Sequence, residues 1–258
     1  MKNSVYQSLC DSATERGGGF LLLVDPDRGK LPDILTLTES AESARVDAIL
    51  VGTSFLMRPD FHSAMKEIKA STSLPVILFP GGASQVSPEA DAILFMSLIS
   101  GRNPNYLIEE QVKGAPFVKS YDLEAIPTGY MLIESGSYTS VEYVSGARPI
   151  PRDKADLACA HALAAQYLGM KLVYLEAGSG ARYAVSDAMI QQVSAMVEIP
   201  LIVGGGITSP EEVAQKISAG ASFVVVGTRF EAPGSFERLC EYAEACHPKA
   251  VTTNQSLS

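Results

Sequence analysis

The chain has 258 residues and a formal net charge of −9, and 47% of its residues are apolar. This length suits a single (β/α) barrel, and the acidic balance without any Lys/Arg-rich run argues against a nucleic-acid partner. No apolar run approaches the roughly 18 residues of a membrane span and the N-terminus has no signal-peptide core, so we expect a cytoplasmic protein with no membrane span.

Eight short, continuous apolar runs alternate with longer amphipathic segments. Runs of this length without polar alternation are typical of strands buried on both faces, as in a parallel sheet, and eight such strands close a barrel. The predicted strands are residues 20–24, 48–51, 76–79, 92–95, 130–133, 172–175, 201–203 and 223–226. The predicted fold is α/β, a single-domain (β/α)₈ TIM barrel over residues 1–248, with a disordered tail at 249–258.

The segments between the predicted strands mostly indicate helices. Apolar residues recur every three or four positions between Leu157 and Leu168, and Ser209 is placed to cap a helix that Gly220 ends. The connection over residues 80–90 is too short and too rich in proline and glycine for a helix. We therefore expect a loop in place of the third helix and a thinner cover on that side of the barrel.

The four cysteines are widely spread and form no C-x-x-C pair. They are Cys10, Cys159, Cys240 and Cys246. Neither a zinc site nor a disulfide framework is indicated, so we interpret them as buried or unused thiols.

Glycine-rich loops follow the last three predicted strands, at the barrel end where such folds place their chemistry. They are Glu176-Ala177-Gly178-Ser179-Gly180, Gly204-Gly205-Gly206 and Gly227-Thr228. Glycine lets the main chain approach a phosphate closely, and exposed N–H groups donate to its oxygens. A single glycine pair could serve only a turn, but three such loops on adjacent strands predict a phosphate site.

Oxygen-bearing side chains follow the first two predicted strands. Asp25 ends the first strand, and Ser54 follows the second, its spatial neighbour. They are a poor cage for Mg²⁺ by themselves, but Mg²⁺ often takes one or two protein oxygens and completes its shell with water and substrate phosphates. The spacing supports a metal ligand and a turn cap equally for Asp25, whereas Asp27 is interpreted as structural, capping the next helix.

Several longer motifs resemble the geranylgeranylglyceryl phosphate synthase family, which includes bacterial heptaprenylglyceryl phosphate synthases. They are LVDPD at residues 23–27, IPTGYMLIE at 126–134, ARPIPRDKAD at 147–156, YLEAGSGA at 174–181, IVGGGI at 202–207 and VVVGT at 224–228. The resemblance covers residues 20–230 and implies a (β/α)₈ barrel with a loop as its third helix. It also implies an enzyme of ether-lipid synthesis that joins a prenyl diphosphate, with geranylgeranyl diphosphate expected, to the 3-hydroxyl of sn-glycerol 1-phosphate, using Mg²⁺ and releasing diphosphate.

Matched motif by motif, the resemblance implies that Asp25 and Ser54 hold Mg²⁺, with Thr53 as an alternative to Ser54. Glu176 matches the family's glycerol-contacting glutamate and Tyr174 its neighbouring tyrosine, and we predict both as catalytic residues. The predicted glycerol 1-phosphate site comprises Tyr174, Leu175, Glu176, Ala177, Gly178, Ser179, Gly180, Gly205, Gly206, Gly227 and Thr228. The family also implies a homo-oligomer, and the alanine-rich stripe over 155–165 suits packing against a neighbour or on the barrel equally well.

Glu176 places a negative charge just before the glycines of a phosphate site. Glycerol phosphate has an anionic end and a hydroxyl end, so its pocket needs N–H donors on one side and a proton acceptor on the other. Glu176 is therefore interpreted as the general base that takes the proton of the attacking hydroxyl.

The thinly covered side near the third and fourth strands offers a groove for a prenyl tail, with core packing as the alternative for each side chain. The candidates are Phe79, Phe95, Met96, Leu98 and Ile99. Residues 134–150, after the fifth strand, are interpreted either as an ordinary connection or as a lid that excludes water from the substrate.

Two other functions fit parts of the pattern. A flavin-dependent oxidoreductase would use the last two glycine loops for the phosphate of FMN, but it leaves Asp25 and Ser54 unexplained. A non-catalytic module that binds a phosphorylated metabolite would keep the glycines and need neither Mg²⁺ nor Glu176.

Overall fold

A computed structural model describes residues 4–230 and 236–247 of the chain. Eight parallel strands pair in chain order, and the last pairs with the first to close a barrel. The strands are β1 (Gly19–Val24), β2 (Ala48–Val51), β3 (Val76–Leu78), β4 (Ala92–Leu98), β5 (Glu124–Leu132), β6 (Leu172–Glu176), β7 (Leu201–Gly204) and β8 (Phe223–Val226). The α-helices of the described chain are α1 (Val5–Arg16), α2 (Leu31–Ala41), α3 (Phe61–Ala70), α4 (Glu110–Ser120), α5 (Ser140–Ser145), α6 (Ala155–Tyr167), α7 (Asp187–Met196), α8 (Pro210–Ser218) and α9 (Phe236–Cys246).

The predicted barrel and its eight strands are confirmed, with one large difference in length. β5 begins at Glu124, well before its predicted start at Tyr130. Pro127 and Gly129 hide this part of the strand in the sequence, because both residues weaken a strand taken alone. In the barrel the same stretch pairs with the whole of β4, and that pairing supplies its hydrogen bonds.

Apolar side chains of the strands alternate between two buried layers. One layer fills the barrel interior with side chains such as Leu21, Leu50 and Leu172, and Leu9 and Ala13 of α1 close its amino-terminal end. The other layer lies between the strands and the surrounding helices. Burial on both faces explains why the strands are continuously apolar. The packed interior leaves the carboxyl-terminal end of the barrel for a ligand site.

The helices predicted from their apolar stripe and their cap are confirmed. α6 buries Ala158, Ala162 and Ala165 against the barrel, so its alanine-rich stripe packs within the chain. This packing does not by itself indicate the expected homo-oligomer, which stays a prediction. Ser209 caps α8 with its side chain, and the chain leaves that helix through Gly220 at a φ of 110°.

The connection between β3 and β4 contains no α-helix, as predicted. Its regular structure is a short 3₁₀ turn at Ala83–Gln85. After β4, a π-helical turn at Asn105–Glu109 leads into α4. Both segments therefore lie at the carboxyl end of the barrel. A full helix after β3 would instead have packed along the outside of the strands.

The remaining predictions concern thiols, membrane spans and the tail. All four cysteines are free thiols, and Cys159 and Cys246 are buried. Within the described residues, none of the helices has the length and apolar character needed to cross a membrane. The predicted tail, residues 249–258, lies outside the described residues.

Asp47, just before β2, connects segments from both ends of the described chain to the barrel. Its side chain is 2% exposed and accepts hydrogen bonds from Ser12 Oγ at 2.7 Å, Arg16 Nη1 at 3.0 Å and Phe20 N–H at 2.8 Å. His247 Nε2 lies 3.0 Å from the second carboxylate oxygen. Burial raises the pKa of Asp47, but the contacts with His247, Phe20 N–H and Ser12 together lower it by more than burial raises it. The net pKa of Asp47 is therefore below the ordinary value.

We expect Asp47→Ala to lower the free energy of unfolding by about 3–5 kcal/mol, because it leaves buried donors unpaired. Since folding lowers the pKa of Asp47, its stabilising contribution is present above the ordinary carboxyl pKa and is lost as the pH falls through the folded value. Urea unfolding of wild type and variant at pH 7 and pH 3 measures both effects. Exposed Asp11→Ala on α1 is the control; equal losses of stability in the two variants would contradict this role for Asp47.

Candidate active site

A cavity of about 600 Å³ lies at the carboxyl ends of the strands. On one side it is lined by what we call the glycine cradle, residues 178–180, 205–206 and 227–228, after β6, β7 and β8. The opposite side of the barrel, formed by the connection after β3 and by the carboxyl half of β4, contributes an apolar wall. This apolar end comprises Phe79, Val86, Phe95, Met96 and Leu98. One cavity thus joins a polar, glycine-rich site to a hydrophobic one.

Glu176 ends β6 next to the glycine cradle and is 6% exposed. Its Oε1 accepts a 2.6 Å hydrogen bond from the Gly178 N–H. Burial raises the pKa of Glu176 to about 7, and the Gly178 N–H and the Tyr174 hydroxyl oppose this rise. A carboxyl group with a pKa near neutrality suits a general base at physiological pH.

Tyr174 lies beside Glu176 and is fully buried. Its ring stacks on Phe79, with centroids 5.3 Å apart, and meets Tyr130 edge-on at 5.2 Å. Burial, with the nearby Glu176 carboxylate, raises the pKa of Tyr174 well above its ordinary value, so the phenol stays protonated. Its hydroxyl is close enough to lower the pKa of Glu176, yet its oxygen has no partner at normal hydrogen-bond geometry among the described residues. This buried hydroxyl therefore lies beside the Glu176 carboxyl group in the wall of the cavity.

The glycine cradle requires glycine for both conformation and space. Gly178 and Gly205 have φ angles of 96° and 81°, in the left-handed region. A Cβ on Gly205 would lie 2.4 Å from Glu176 Oε1 and 2.6 Å from Gly178 N. Across the cradle, Ser179 Oγ and Thr228 Oγ1 are 3.2 Å apart. The same glycines therefore shape the cradle and leave room for the Glu176 carboxylate.

Two residues predicted to bind the ligand face away from the cavity. Leu175 and Ala177 pack in the layer between strands and helices. Side chains alternate along a strand, so Tyr174 and Glu176 face the cavity and the intervening Leu175 does not. The predicted ligand contacts of Leu175 and Ala177 side chains must be corrected accordingly. All other residues predicted for the glycerol phosphate and metal sites line the cavity.

Asp25, at the end of β1, lines the cavity together with Thr53 and Ser54. Its Oδ1 accepts a 2.9 Å hydrogen bond from the Asp27 N–H, and its Oδ2 lies 3.4 Å from Arg28 Nε. Burial raises the pKa of Asp25, while the Asp27 N–H, the Thr53 hydroxyl and Arg28 counteract the rise. Thr53 therefore lies next to Asp25, and it stays open as the alternative to Ser54. Arg28 had no role in the sequence analysis.

Two side chains hold the loops around Asp25, Thr53 and Ser54. Gln85, in the 3₁₀ turn that replaces the third helix, accepts from the Thr53 N–H at 3.2 Å and donates to the Thr53 carbonyl at 2.9 Å. Asp27 accepts from the N–H groups of Met57 and Arg58 at 2.6 and 3.1 Å. Asp27 has a structural role, as predicted. It accepts hydrogen bonds from the loop after β2, however, and does not cap α2. No sequence pattern pointed to Gln85.

Four of the five apolar side chains that were candidates for a groove line the cavity. Phe79, Phe95, Met96 and Leu98 line the cavity, whereas Ile99 packs against the layer between strands and helices. Ile99 follows the end of β4 at Leu98, where its side chain turns away from the cavity. Of the two interpretations given for Ile99, core packing therefore applies.

The segment over residues 134–150 forms part of the cavity wall. It contains α5, and its side chains Val141 and Val144 line the cavity next to the apolar end. Asn103 Nδ2, after β4, donates a 2.9 Å hydrogen bond to the Ser145 carbonyl at the end of α5. This placement favours the lid interpretation over that of an ordinary connection.

The fold and the cavity define a class of protein: a (β/α)₈ barrel that presents a glycine-rich cradle, a buried carboxyl group and a hydrophobic pocket at one end. Residues 11–243 match the PcrB family. The chain belongs to the PcrB family.

Named relatives are similar over most of their length. The geranylgeranylglyceryl phosphate synthase of Chitinophaga pinensis is 42% identical over 250 residues, which are 97% of this chain and 98% of the relative. The enzyme of that name from Thermococcus gammatolerans is 47% identical over 218 residues, 84% of this chain and 86% of the relative. The crystal structure of (S)-3-O-geranylgeranylglyceryl phosphate synthase from Thermoplasma acidophilum in complex with sn-glycerol-1-phosphate matches with a TM-score of 0.89 and 37% identity, covering 95% of this chain and 98% of that chain. The family resemblance seen in the motifs is confirmed.

We expect Glu176→Gln to become more stable relative to the wild type as the pH rises from 4.5 towards about 7. Across this window the folded wild type holds a proton that the unfolded chain releases, so its stability falls with pH, whereas glutamine stays neutral. Melting temperatures of ligand-free protein at pH 4.5, 5.5, 6.5 and 7.5 measure the difference. Exposed Glu39→Gln on α2 is the control; a difference for Glu176→Gln that does not change with pH would contradict the raised pKa.

Proposed function

We propose that this member of the PcrB family joins a prenyl diphosphate, with geranylgeranyl diphosphate as the expected donor, to the 3-hydroxyl of sn-glycerol 1-phosphate and releases diphosphate. The position of Glu176 carries the proposal. A buried carboxyl with a pKa of about 7 lies between a glycine cradle and an apolar end in one cavity. This arrangement suits a small phosphorylated polyol as acceptor and a hydrocarbon chain as donor. The relative from T. acidophilum is described in complex with sn-glycerol-1-phosphate.

The chemistry follows from the order of groups along the cavity. The phosphate of the acceptor binds the N–H groups of the glycine cradle, and its hydroxyls point towards Glu176. The Glu176 carboxylate takes the proton of the 3-hydroxyl while that oxygen attacks C1 of the prenyl chain. The bond between C1 and the diphosphate oxygen breaks, and diphosphate leaves with the bonding electrons. The Tyr174 hydroxyl donates a hydrogen bond to an oxygen of the polyol and orients that oxygen for attack.

The residues around Asp25 fit a Mg²⁺ site that a bound diphosphate completes. Asp25 supplies a carboxylate, and Ser54 or Thr53 a hydroxyl, which are the oxygen ligands that Mg²⁺ prefers. In the described parts of the chain, no cluster of three or more His, Cys, Asp and Glu side chains could hold a metal alone. Mg²⁺ held there would neutralise negative charge on the departing diphosphate.

The other two functions considered explain less of this cavity. A bound flavin would use the glycine cradle but gives no role to the protonatable Glu176 beside it. A non-catalytic module that binds a phosphorylated metabolite would have no need for a carboxyl whose burial raises its pKa to about 7. Glu176 therefore favours catalysis of proton transfer.

The reaction is tested with sn-glycerol 1-phosphate, Mg²⁺ and prenyl diphosphates of several lengths, followed by mass analysis of the products. We expect an ether product with the wild type, and a turnover roughly 10²–10⁴-fold lower for Glu176→Gln, because general-base catalysis is typically worth that factor. Glu39→Gln controls for loss of a distant carboxylate. Absence of ether product with every donor would reject the function, and full turnover of Glu176→Gln at an unchanged KM for the polyol would reject the role of Glu176.

The lid interpretation is tested by weakening the contact that holds α5. Asn103→Asp replaces the donor of the 2.9 Å hydrogen bond to the Ser145 carbonyl with an acceptor of the same size. We expect water to reach the allylic diphosphate more often, so the ratio of free prenyl alcohol to ether product rises severalfold. Asn105→Asp, which adds the same charge two residues away, is the matched control. An unchanged product ratio in Asn103→Asp would show that residues 134–150 do not exclude water.

A further inference from the structure

Arg28 connects the two parts of the cavity that are suited to anions. Its Nε lies 3.4 Å from Asp25 Oδ2, at the proposed Mg²⁺ site. Its Nη1 donates a 2.9 Å hydrogen bond to Ser179 Oγ in the glycine cradle, and that oxygen is 3.2 Å from Thr228 Oγ1. A single guanidinium group therefore bridges the end of β1 and the loop after β6.

The position and chemistry of Arg28 make it accessible to ligands on both sides. The Arg28 side chain is 38% exposed and that of Asp25 16% exposed, so their contact lies at the edge of the cavity. A guanidinium keeps its charge at all physiological pH values and has five N–H donors, of which these two contacts use two. Its planar fork matches two oxygens of a phosphate group.

We propose that Arg28 is a substrate-binding residue that contacts both the phosphate in the glycine cradle and the diphosphate beside Asp25, and that it couples their binding. This inference rests on the proposed function of the cavity. A divalent cation held at Asp25 would compete with Arg28 for the carboxylate and leave the guanidinium charge without its partner. The neighbouring phosphate would then neutralise that charge, so each anion would favour binding of the other.

Without Arg28, two anionic groups in neighbouring parts of one cavity repel each other. The bridge between Asp25 and Ser179 would thus have one role in the ligand-free protein and another in the complex. In the ligand-free protein it lowers the repulsion that Asp25 exerts on an incoming anion. In the complex it lies between the two phosphate-bearing groups.

Isothermal titration calorimetry of the full chain tests the proposal. Three dissociation constants are measured: sn-glycerol 1-phosphate without metal, inorganic diphosphate with Mg²⁺, and sn-glycerol 1-phosphate in saturating Mg²⁺ and diphosphate. We expect Arg28→Ala to weaken the first two roughly ten- to a hundredfold, the size of a lost charge-assisted hydrogen bond. In the wild type we expect diphosphate with Mg²⁺ to tighten polyol binding about fivefold or more, and Arg28→Ala to abolish that gain.

Two further variants separate charge, geometry and folding. Arg28→Lys keeps the charge without the planar fork, so we expect intermediate affinities and part of the coupling. Exposed Lys30→Ala, two residues from Arg28 and just before α2, removes a positive charge from the same loop and should leave all three constants unchanged. Melting temperatures of each variant show whether a loss of affinity reflects a loss of fold.

Several outcomes would overturn the inference. Dissociation constants of Arg28→Ala within twofold of the wild type, with a lower melting temperature, would make Arg28 a structural brace. A change in the dissociation constant of only one of the two ligands would contradict the coupling. Failure of the wild type to bind either ligand would reject the inference as well. The proposed function fails separately: a wild type that binds both ligands with coupling but forms no ether product would reject the reaction and retain the role of Arg28.

Discussion

A carboxyl group buried beside the glycine cradle is the constraint on which the rest of this structure depends. Transfer of a charged group out of water is costly unless it is paired and hydrogen-bonded. The main-chain N–H of Gly178 donates to Glu176 at 2.6 Å, and the desolvation that remains raises the pKa of Glu176 to about 7. The hydrogen bond from Gly178 offsets only part of the cost of burying the charge. The Glu176 carboxyl group therefore takes and releases a proton near neutral pH.

The surrounding residues follow from that constraint. Gly205 has no side chain because a Cβ would lie 2.4 Å from Glu176 Oε1. The ring of Tyr174 is held between Phe79 and Tyr130, so its hydroxyl stays next to the carboxylate. Phe79 also belongs to the apolar end of the cavity. The packing that positions the Tyr174 hydroxyl is therefore continuous with the apolar end of the cavity.

The loop that replaces the third helix has two structural consequences. It leaves β3 and β4 paired but without an α-helix between them, next to the apolar end of the cavity. It also places Gln85 where both hydrogen-bonding groups of its amide bind the main chain of Thr53. The strand order sets this apolar end opposite the glycine cradle. A closed barrel thus separates the two chemical environments by half its circumference, while its shared carboxyl end keeps them in one cavity.

The sequence by itself determined the barrel, its strands, the missing helix and the residues that follow each strand, because continuous apolar runs and glycine-rich turns are local features. The motifs likewise identified Glu176, Tyr174, the glycines and Asp25. The tertiary structure decided the early start of β5, the orientation of Leu175, Ala177 and Ile99 away from the cavity, and the contacts of Gln85 and Arg28. Each of these depends on contacts between residues far apart in the chain, such as Arg28 with Ser179, and closure of the barrel is what brings such residues together.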